Sequence, residues 1–212
     1  MSTRRTTLAG AVVADSSELV PGRRPLRPRL EQDSHHEVHG DERPCSMNSK
    51  LRELPSRNGP KPQTEGPAPH RQVSQWPDTP AFAKQLHEFA VVLPGVTNGM
   101  SHVGDGGLSA FFLADVVAQG WSAHFLIDNE FAHIHADGSH SLHLALPHEL
   151  GLMLAEKGWA EQHPLSEAGN IPNTNFMLFG ARNTEELEIS KLVLEQSWDF
   201  ARKQHSRTGP RT

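Results

Sequence analysis

The sequence predicts an α+β domain, a small antiparallel sheet flanked by helices, that follows a long disordered N-terminal tail. Two observations along the 212 residues predict this division. Residues 1–75 contain too few apolar side chains to offset the conformational entropy that is lost on folding. From residue 76 onward, segments with helical spacing alternate with short apolar runs bounded by turn residues. We therefore assign residues 1–75 to the tail and residues 76–205 to one domain.

The composition of the whole chain narrows its class. The formal net charge of −5 argues against a nucleic-acid partner, because nucleic-acid-binding domains carry a basic surface. No apolar run approaches the ~18 residues of a transmembrane helix, and residues 8–13 are too short for a signal peptide, so we expect a cytoplasmic protein without a membrane partner. The single cysteine, Cys45, excludes an intramolecular disulfide. Met47 is an alternative translation start, which would make residues 1–46 a gene-model extension.

The first predicted element of the domain is a helix that begins after Trp76. Asp78 or Thr79 caps this helix, and Pro80 occupies its first turn, where proline is tolerated. An apolar stripe at helical spacing runs through residues 82–93. A Pro-Gly pair then ends the helix.

Short apolar runs predict the strands of the sheet. The stretch 96–112 has strand-like ends around a glycine-rich turn at 104–107. Further on, a turn at 137–139 joins two runs into a hairpin. The strand segments after the glycine-rich turn are 124–127, 131–136, 141–146 and 176–179.

Two more helices complete the predicted domain. Pro147 starts a short helix that stops at Gly158. A loop rich in glycine, proline and asparagine follows over residues 163–175. Asn183, with a glutamate three residues later, resembles a capping arrangement for a long C-terminal helix that ends near Arg202 or Lys203.

Histidines on the two hairpin strands form the centre of the candidate site. Residues two apart in a strand face the same way, so His133 and His135 project together. A three-residue turn at 137–139 places His133 opposite His143, whereas a two-residue turn puts His143 on the other face. We favour the three-residue turn, because the apolar residues of both strands then share the core face.

Three interpretations of the hairpin histidines stay open. Three neutral imidazoles can hold Zn²⁺ or Fe²⁺ with an open position for water, oxygen or substrate. Alternatively, one histidine acts as a general base while the others orient an anionic ligand. The structural alternative is a half-exposed hairpin face without chemistry, since clustered titratable groups indicate function only statistically.

Three residues outside the hairpin are further candidates for the site. His163 precedes a proline, which favours an extended, fixed placement. It can close over the histidines, cap a helix end or pair with Glu161. Trp159 serves either as a core anchor or as a stacking platform for a ligand. Arg182 pairs with a carboxylate such as Glu130, binds a substrate carboxylate or enolate, or forms a surface salt bridge.

Several linked motifs in residues 125–200 resemble the luciferase domain of fungal bioluminescence in order and approximate spacing. The last part of the domain also resembles, more faintly, the small α+β proteins of the MmcQ/YjbR type, which supports the fold class only. The motifs shared with the luciferase domain are Glu130-x-Ala132-His133-x-His135, Leu142-His143-Leu144-Ala145-Leu146, Lys157-Gly158-Trp159, His163-Pro164-Leu165 and Arg182-Asn183-x-Glu185-Glu186.

The resemblance implies a chemistry for these positions. Fungal luciferase oxidises a hydroxylated pyrone with molecular oxygen, and no organic cofactor is established for it. The resemblance therefore implies molecular oxygen as co-substrate and no organic cofactor. The site positions that it carries over are Glu130, His133, His135, His143 and His163.

Together, these observations predict a luciferase-like domain that binds a small enolic or aromatic molecule at its histidine face. If the domain is catalytic, we expect an oxidoreductase of the monooxygenase type, in which a histidine removes an acidic proton before oxygen reacts. One alternative is a non-catalytic binding or interaction module on the same scaffold. The other is an enzyme with Zn or Fe at His133, His135 and His143. No feature of the sequence indicates an oligomeric state.

Overall fold

The structure, a computed structural model, describes residues 48–77, 79–103, 109–116 and 122–207. The described residues form five helices and eight strands. In chain order they are α1 (Ser49–Arg52), β1 (Thr64–Glu65), β2 (Arg71–Gln72), α2 (Ala81–Val91), β3 (Val96–Met100), β4 (Ser109–Leu113), β5 (Glu130–Ile134), β6 (Leu142–Ala145), α3 (His148–Glu156), β7 (Ala160–Gln162), α4 (Pro164–Glu167), β8 (Asn175–Leu178) and α5 (Thr184–Arg207).

A six-stranded sheet with the order β3-β4-β5-β6-β8-β7 organises the domain. Every neighbouring pair in it is antiparallel. β1 and β2 form a separate two-stranded sheet. α5 packs against β5, β6 and α2. The predicted α+β class, with a small antiparallel sheet flanked by helices, is confirmed.

The hairpin of β5 and β6 has the register that the three-residue turn predicts. His133 lies directly opposite His143. Ala132 lies opposite Leu144, and these two residues belong to the buried apolar core together with side chains of α5. Because successive residues of a strand point to opposite faces, the histidines take the face away from Ala132 and Leu144.

The predicted Asn183 cap of α5 is confirmed, whereas the N-cap of α2 is Pro80 and Thr79 makes its contact from the residue before it. Thr79 Oγ1 accepts a hydrogen bond of 3.2 Å from the backbone N–H of Ala81, at the start of α2. Asn183 Oδ1 accepts one of 2.9 Å from the N–H of Glu186, at the start of α5. α5 continues to Arg207, several residues beyond the predicted end. The alternative cap, Asp78, lies outside the described residues.

Two predictions between the helices are wrong. Residues 124–127 form no strand. They take part only in two isolated bridges, one between Ser122 and Phe125 and one between Ile127 and Glu130. The chain turns too tightly there for a ladder, and Asp128 takes a φ of 50°. The predicted loop after residue 163 contains α4, and the short edge strand β7 before it was not predicted. The glycine-rich turn at 104–107 lies outside the described residues.

Order begins well before residue 76, which corrects the predicted boundary of the tail. Leu51 and Leu54 are buried in the core. The motif at 157–159 holds this segment, because Trp159 Nε1 donates to Pro55 O at 2.7 Å and Arg57 N donates to Lys157 O at 2.8 Å. Two apolar anchors and a few specific hydrogen bonds therefore order this segment, although its composition alone predicts disorder. The rest of the predicted tail, residues 1–47, lies outside the described residues.

Within the described part of the chain, no helix is both long enough and apolar enough to cross a membrane.

Candidate functional site

Five histidines from distant parts of the chain meet on the face of the sheet that carries His133 and His143. We call them the histidine cluster. The ring of His143 is its centre, since the centroids of the other four rings lie 4.7–5.2 Å away. The members are His70, His133, His135, His143 and His163. The predicted convergence of His133, His135, His143 and His163 is found in the structure, and His70 was not predicted.

The sheet register explains why polar side chains collect at this place. His133 pairs with His143, His143 pairs with Met177, and Met177 pairs with Glu161 on the edge strand β7. Directly opposed residues in antiparallel strands share a face, so one row crosses the sheet from His133 to Glu161. The structural alternative of a half-exposed face is wrong, because His133 and His143 are only 2% and 8% exposed.

Glu130 contacts Nδ1 of His133, the ring nitrogen that is not directed at His143. It lies at the start of β5 and is completely buried. Its Oε1 is 2.7 Å from His133 Nδ1 and accepts a hydrogen bond of 2.8 Å from Ser101 Oγ. Its Oε2 accepts one of 2.8 Å from the backbone N–H of His102. The carboxylate thus fixes the orientation of the His133 ring, as a hydrogen-bonded carboxylate does for a metal-ligating or catalytic histidine.

A chain of hydroxyls supports His135 in a similar way. Its Nδ1 lies 3.0 Å from Ser141 Oγ. Ser141 Oγ is 2.9 Å from Ser139 Oγ, and Ser139 Oγ donates to Asp137 Oδ1 at 2.6 Å. The hairpin turn therefore both sets the register and positions the ring.

His70 covers the cluster from the N-terminal segment, by which we mean residues 48–75. Its Nδ1 lies 3.1 Å from His143 Nε2, and its Nε2 lies 2.7 Å from Glu161 Oε1. Burial would raise the pKa of Glu161, but hydrogen bonds from His70 and Lys61 outweigh burial and lower this pKa to about 2. Glu161 is therefore a carboxylate at neutral pH and an acceptor for the His70 ring.

His163 closes the cluster from the start of α4. Its Nδ1 accepts a hydrogen bond of 3.1 Å from the backbone N–H of Leu165, so it is the N-cap of this short helix. Its ring centroid is 4.8 Å from that of His70 and 5.1 Å from that of His143. The predicted pair with Glu161 is not formed, since Glu161 binds His70 and Lys61 instead.

Burial favours the neutral form of three cluster rings, those of His135, His143 and His163. Burial, together with the neighbouring histidines, lowers the pKa of His135 and of His163 to about 4. Burial also lowers the pKa of His143 well below its ordinary value, again with a contribution from the other histidines. A neutral imidazole can ligate a metal or accept a proton, but a pKa near 4 makes it a weak base at neutral pH.

The cluster forms one wall of a cavity of about 410 Å³. Most of the remaining wall is apolar and comes from α4 and five connecting segments, including the proline-rich segment that carries His70. The apolar lining residues are Pro67, Ala68, Pro69, Val103, Leu126, Ala136, Leu165 and Ile171. A pocket with apolar sides and a few polar groups at one end is typical of small-molecule sites.

Two predicted ligand-binding residues lie away from this cavity. Trp159 is buried, and its Nε1 donates to Pro55 O, so it is the core anchor of the two alternatives. Arg182 Nε donates to Glu186 Oε1 at 2.9 Å, so it pairs with a carboxylate other than Glu130. Neither residue lines the cavity.

Among the described residues, two groups of three histidines have ring nitrogens close enough to hold one metal ion. In each group the three nitrogens lie within 4.8 Å of one another. One group is His133, His135 and His143, and the other is His70, His143 and His163.

The comparisons with known proteins agree with the motif resemblance. The family model of the luciferase domain matches residues 128–196, which include the hairpin histidines and His163. The luciferase of Armillaria gallica is 33% identical over 164 residues, and that of Armillaria ostoyae is 31% identical over 163 residues. Each alignment covers 69% of this chain and 60% of the relative.

A shorter match extends the comparison to a second genus. The luciferase of Neonothopanus nambi is 36% identical over 70 residues, or 32% of this chain and 26% of the relative. The chain thus spans about 60% of the length of the Armillaria relatives that it matches. No solved structure matches the chain. Residues 128–196 thus match the luciferase domain, and the chain is similar to fungal luciferases over 69% of its length.

Proposed function

We propose that this protein is an oxygenase-like enzyme that oxidises a small enolic or aromatic molecule with molecular oxygen. The observation that carries the proposal is the histidine cluster on the wall of an apolar cavity, inside a luciferase domain. The relatives are named luciferases, which supports oxidation of a small molecule as the reaction class.

The cavity fits a planar molecule with one polar edge. Its volume of about 410 Å³ lies within the range of small-molecule pockets. Pro67, Leu126 and Ile171 supply apolar surface for the ring of such a molecule. His163 has its Nδ1 occupied by a backbone N–H, so its neutral ring carries its proton on Nε2 and can donate to an enolic oxygen.

The proposed oxidation starts with loss of an acidic O–H or C–H proton from the bound molecule to the histidine network. Glu130 and Glu161 lie at the two ends of this network and stabilise the positive charge that it gains. An electron pair of the resulting carbanion then forms a carbon–oxygen bond with O₂. The terminal oxygen of the peroxide takes up the proton, so the carbon is oxidised, dioxygen is reduced and no other reductant is required.

Oxygen uptake in the presence of hydroxylated 2-pyrones tests the proposal. We expect the wild type to consume oxygen, and we expect His143→Ala and His163→Ala to lose about 100-fold or more of this rate. The matched control is His87→Ala, because His87 lies on α2 outside the cavity lining. Unchanged uptake in folded His143→Ala would contradict the proposal. Binding of a pyrone without any uptake would favour the alternative, a non-catalytic binding module.

A further inference from the structure

The three hairpin histidines point ring nitrogens at a common position. His143 Nδ1 lies 3.2 Å from His133 Nε2 and 3.3 Å from His135 Nε2. Such distances are normal for hydrogen bonds, so each would require a proton on one of the two nitrogens. The tautomer of each ring decides whether such a proton is present.

Glu130 decides the tautomer of His133. The carboxylate accepts but cannot donate, and it lies 2.7 Å from His133 Nδ1. A His133 ring with one proton therefore carries it on Nδ1. Nε2 is left with a lone pair directed at His143.

Asp137 decides the tautomer of His135 through two serines. Ser139 Oγ donates to Asp137, so its own acceptor position is open to the hydroxyl of Ser141. Ser141 Oγ then accepts from His135 Nδ1. The neutral His135 ring therefore also has a lone pair on Nε2.

Glu161 decides the tautomer of His143 through His70. His70 Nε2 donates to Glu161 Oε1, which leaves a lone pair on His70 Nδ1. This lone pair lies 3.1 Å from His143 Nε2 and accepts its proton. The third converging nitrogen, His143 Nδ1, is thus a lone pair as well.

Three lone pairs that face one another in a buried site repel each other unless a cation lies between them. A single proton can bridge only two of the nitrogens. We propose that His133, His135 and His143 bind a divalent transition-metal ion, zinc or iron(II), through His133 Nε2, His135 Nε2 and His143 Nδ1. Imidazole nitrogens suit both metals. Metal–nitrogen bonds of about 2.0–2.1 Å at tetrahedral angles place the ligand nitrogens about 3.3–3.4 Å apart. The two distances from His143 Nδ1, 3.2 Å and 3.3 Å, are close to this value.

The second group of three histidines lacks this property. The neutral His163 ring carries its proton on Nε2, because its Nδ1 accepts from Leu165 N–H. Neither nitrogen of His163 is therefore free to ligate. In the hairpin group, by contrast, the outer nitrogens of all three rings already donate to Glu130, Ser141 and His70, the arrangement found around metal-ligating histidines.

The metal site opens to the cavity, since all three of its histidines line the cavity wall. A metal with three protein ligands keeps a position for water or substrate. There it would polarise the enolic oxygen of a bound molecule and make its proton more acidic, and this proton would leave to water because the inward histidine nitrogens would hold the metal. This role depends on the proposed oxidation, but the binding of the metal does not and is measured without any substrate.

Metal analysis of the full chain, purified without an affinity tag, tests the proposal. His35, His36 and His39 are replaced by alanine in every sample, so that histidines near the N-terminus do not compete for metal. We expect about one zinc or iron per chain, or uptake of about one Co²⁺ with visible absorption bands when Co²⁺ is added to metal-free protein. Each of these two results supports the site.

His135→Ala and His163→Ala form a matched pair of cavity variants. We expect His135→Ala to weaken Co²⁺ binding by about 100-fold or more, and His163→Ala to retain the binding. Circular dichroism checks that both variants are folded, and His135→Gln replaces His135→Ala if the latter does not fold. A folded wild type that neither contains metal nor binds Co²⁺ would overturn the proposal. Equal loss of binding in the two variants would overturn it as well.

Discussion

The domain contains two buried polar clusters, one on the wall of the cavity and one away from it. The first is the histidine cluster with Glu130 and Glu161. The second consists of Arg57, Arg182 and Glu186, and we call it the arginine cluster. Both join the N-terminal segment to the rest of the domain through contacts between residues far apart in sequence. They differ in position, because all five histidines line the cavity and no residue of the arginine cluster does.

The arginine cluster joins two guanidinium groups through one shared carboxylate. Glu186 accepts from Arg57 Nη2 at 2.9 Å and from Arg182 Nε at 2.9 Å. Arg57 Nη2 also donates to Gly180 O, and the carbon of its guanidinium lies 5.9 Å from the ring centroid of Trp159. None of the three charged residues lines the cavity. Arg57 Nε and Nη1 are buried without a hydrogen-bond partner among the described residues, but they lie away from the cavity. The arginine cluster therefore joins segments of the chain and does not face a ligand site.

The histidine cluster supplies acceptors in excess. Its two carboxylates and the Asp137 side chain take the protons of the outer ring nitrogens, and the lone pairs at the centre face one another. Ring nitrogens on a cavity wall can be reached by a ligand, whereas the buried guanidinium and carboxylate groups of the arginine cluster cannot. The position on the cavity wall makes the histidine cluster the candidate site without reference to the family.

Removal of Glu186 gives the largest expected effect on stability. Glu186→Ala leaves two guanidinium groups without their carboxylate, one of them buried, and we expect a loss of about 3–5 kcal/mol in the free energy of unfolding. Chemical denaturation of metal-free protein measures it. A loss below about 1 kcal/mol, as found for exposed surface ion pairs, would contradict the stabilising role of the arginine cluster.

Acid has a smaller effect on the same contact, because only the charge of Glu186 is lost. Burial would raise the pKa of Glu186, but hydrogen bonds from Arg182 and Arg57 prevail and lower this pKa to about 2. A lowered pKa in the folded state means that the contribution is complete above the ordinary value of 4.5 and is lost as pH falls from 4.5 to about 2. Denaturation of wild type and Glu186→Gln over this range measures it. Parallel curves would contradict this assignment.

Zinc should stabilise the domain through the histidine cluster only. At a free concentration 100 times the dissociation constant, a ligand of the folded state adds about 2.7 kcal/mol to the free energy of unfolding. We expect this gain in the wild type and in Glu186→Gln, and no gain in His135→Ala. Thermal denaturation with and without zinc measures the difference. A similar gain in His135→Ala would place the metal elsewhere.

The smallest predicted effect concerns the support of the metal ligands. Glu130→Gln keeps a hydrogen-bond acceptor for His133 but removes the negative charge behind the ring. We expect Co²⁺ affinity to fall by about 10-fold, the lower end of the range for such supporting residues. Titration of metal-free protein measures it. An unchanged affinity would mean that the carboxylate only completes the buried hydrogen bonding.

Local pattern was sufficient to predict the hairpin and its histidines. The apolar alternation and the turn at 137–139 determine the register, and the register alone places His133 opposite His143. The motif order led to His163 and Glu130, although their contacts depend on the start of α4 and on Ser101.

The part of the site that sequence reasoning did not find, His70 and its partner Glu161, depends on contacts between residues far apart in the sequence. His70 and Glu161 are 91 residues apart, and no periodicity relates them. His70 also lies among prolines in a segment whose composition predicts disorder, and the bonds that order it come from the motif at 157–159. For the same reason the sequence leaves contact with a ligand open as one alternative for Trp159 and Arg182. Their true partners, Pro55 and Glu186, became visible only in the folded chain.

X-ray absorption at the zinc edge tests the central claim, that the hairpin histidines form a metal site, most directly. The sample is the zinc-loaded full chain in which His35, His36 and His39 are replaced by alanine. We expect about three imidazole nitrogens at about 2.0–2.1 Å from the metal, with the multiple scattering of imidazole rings. We expect the same spectrum for His163→Ala. A spectrum with only water or carboxylate oxygens around zinc, or one that His135→Ala leaves unchanged, would contradict it.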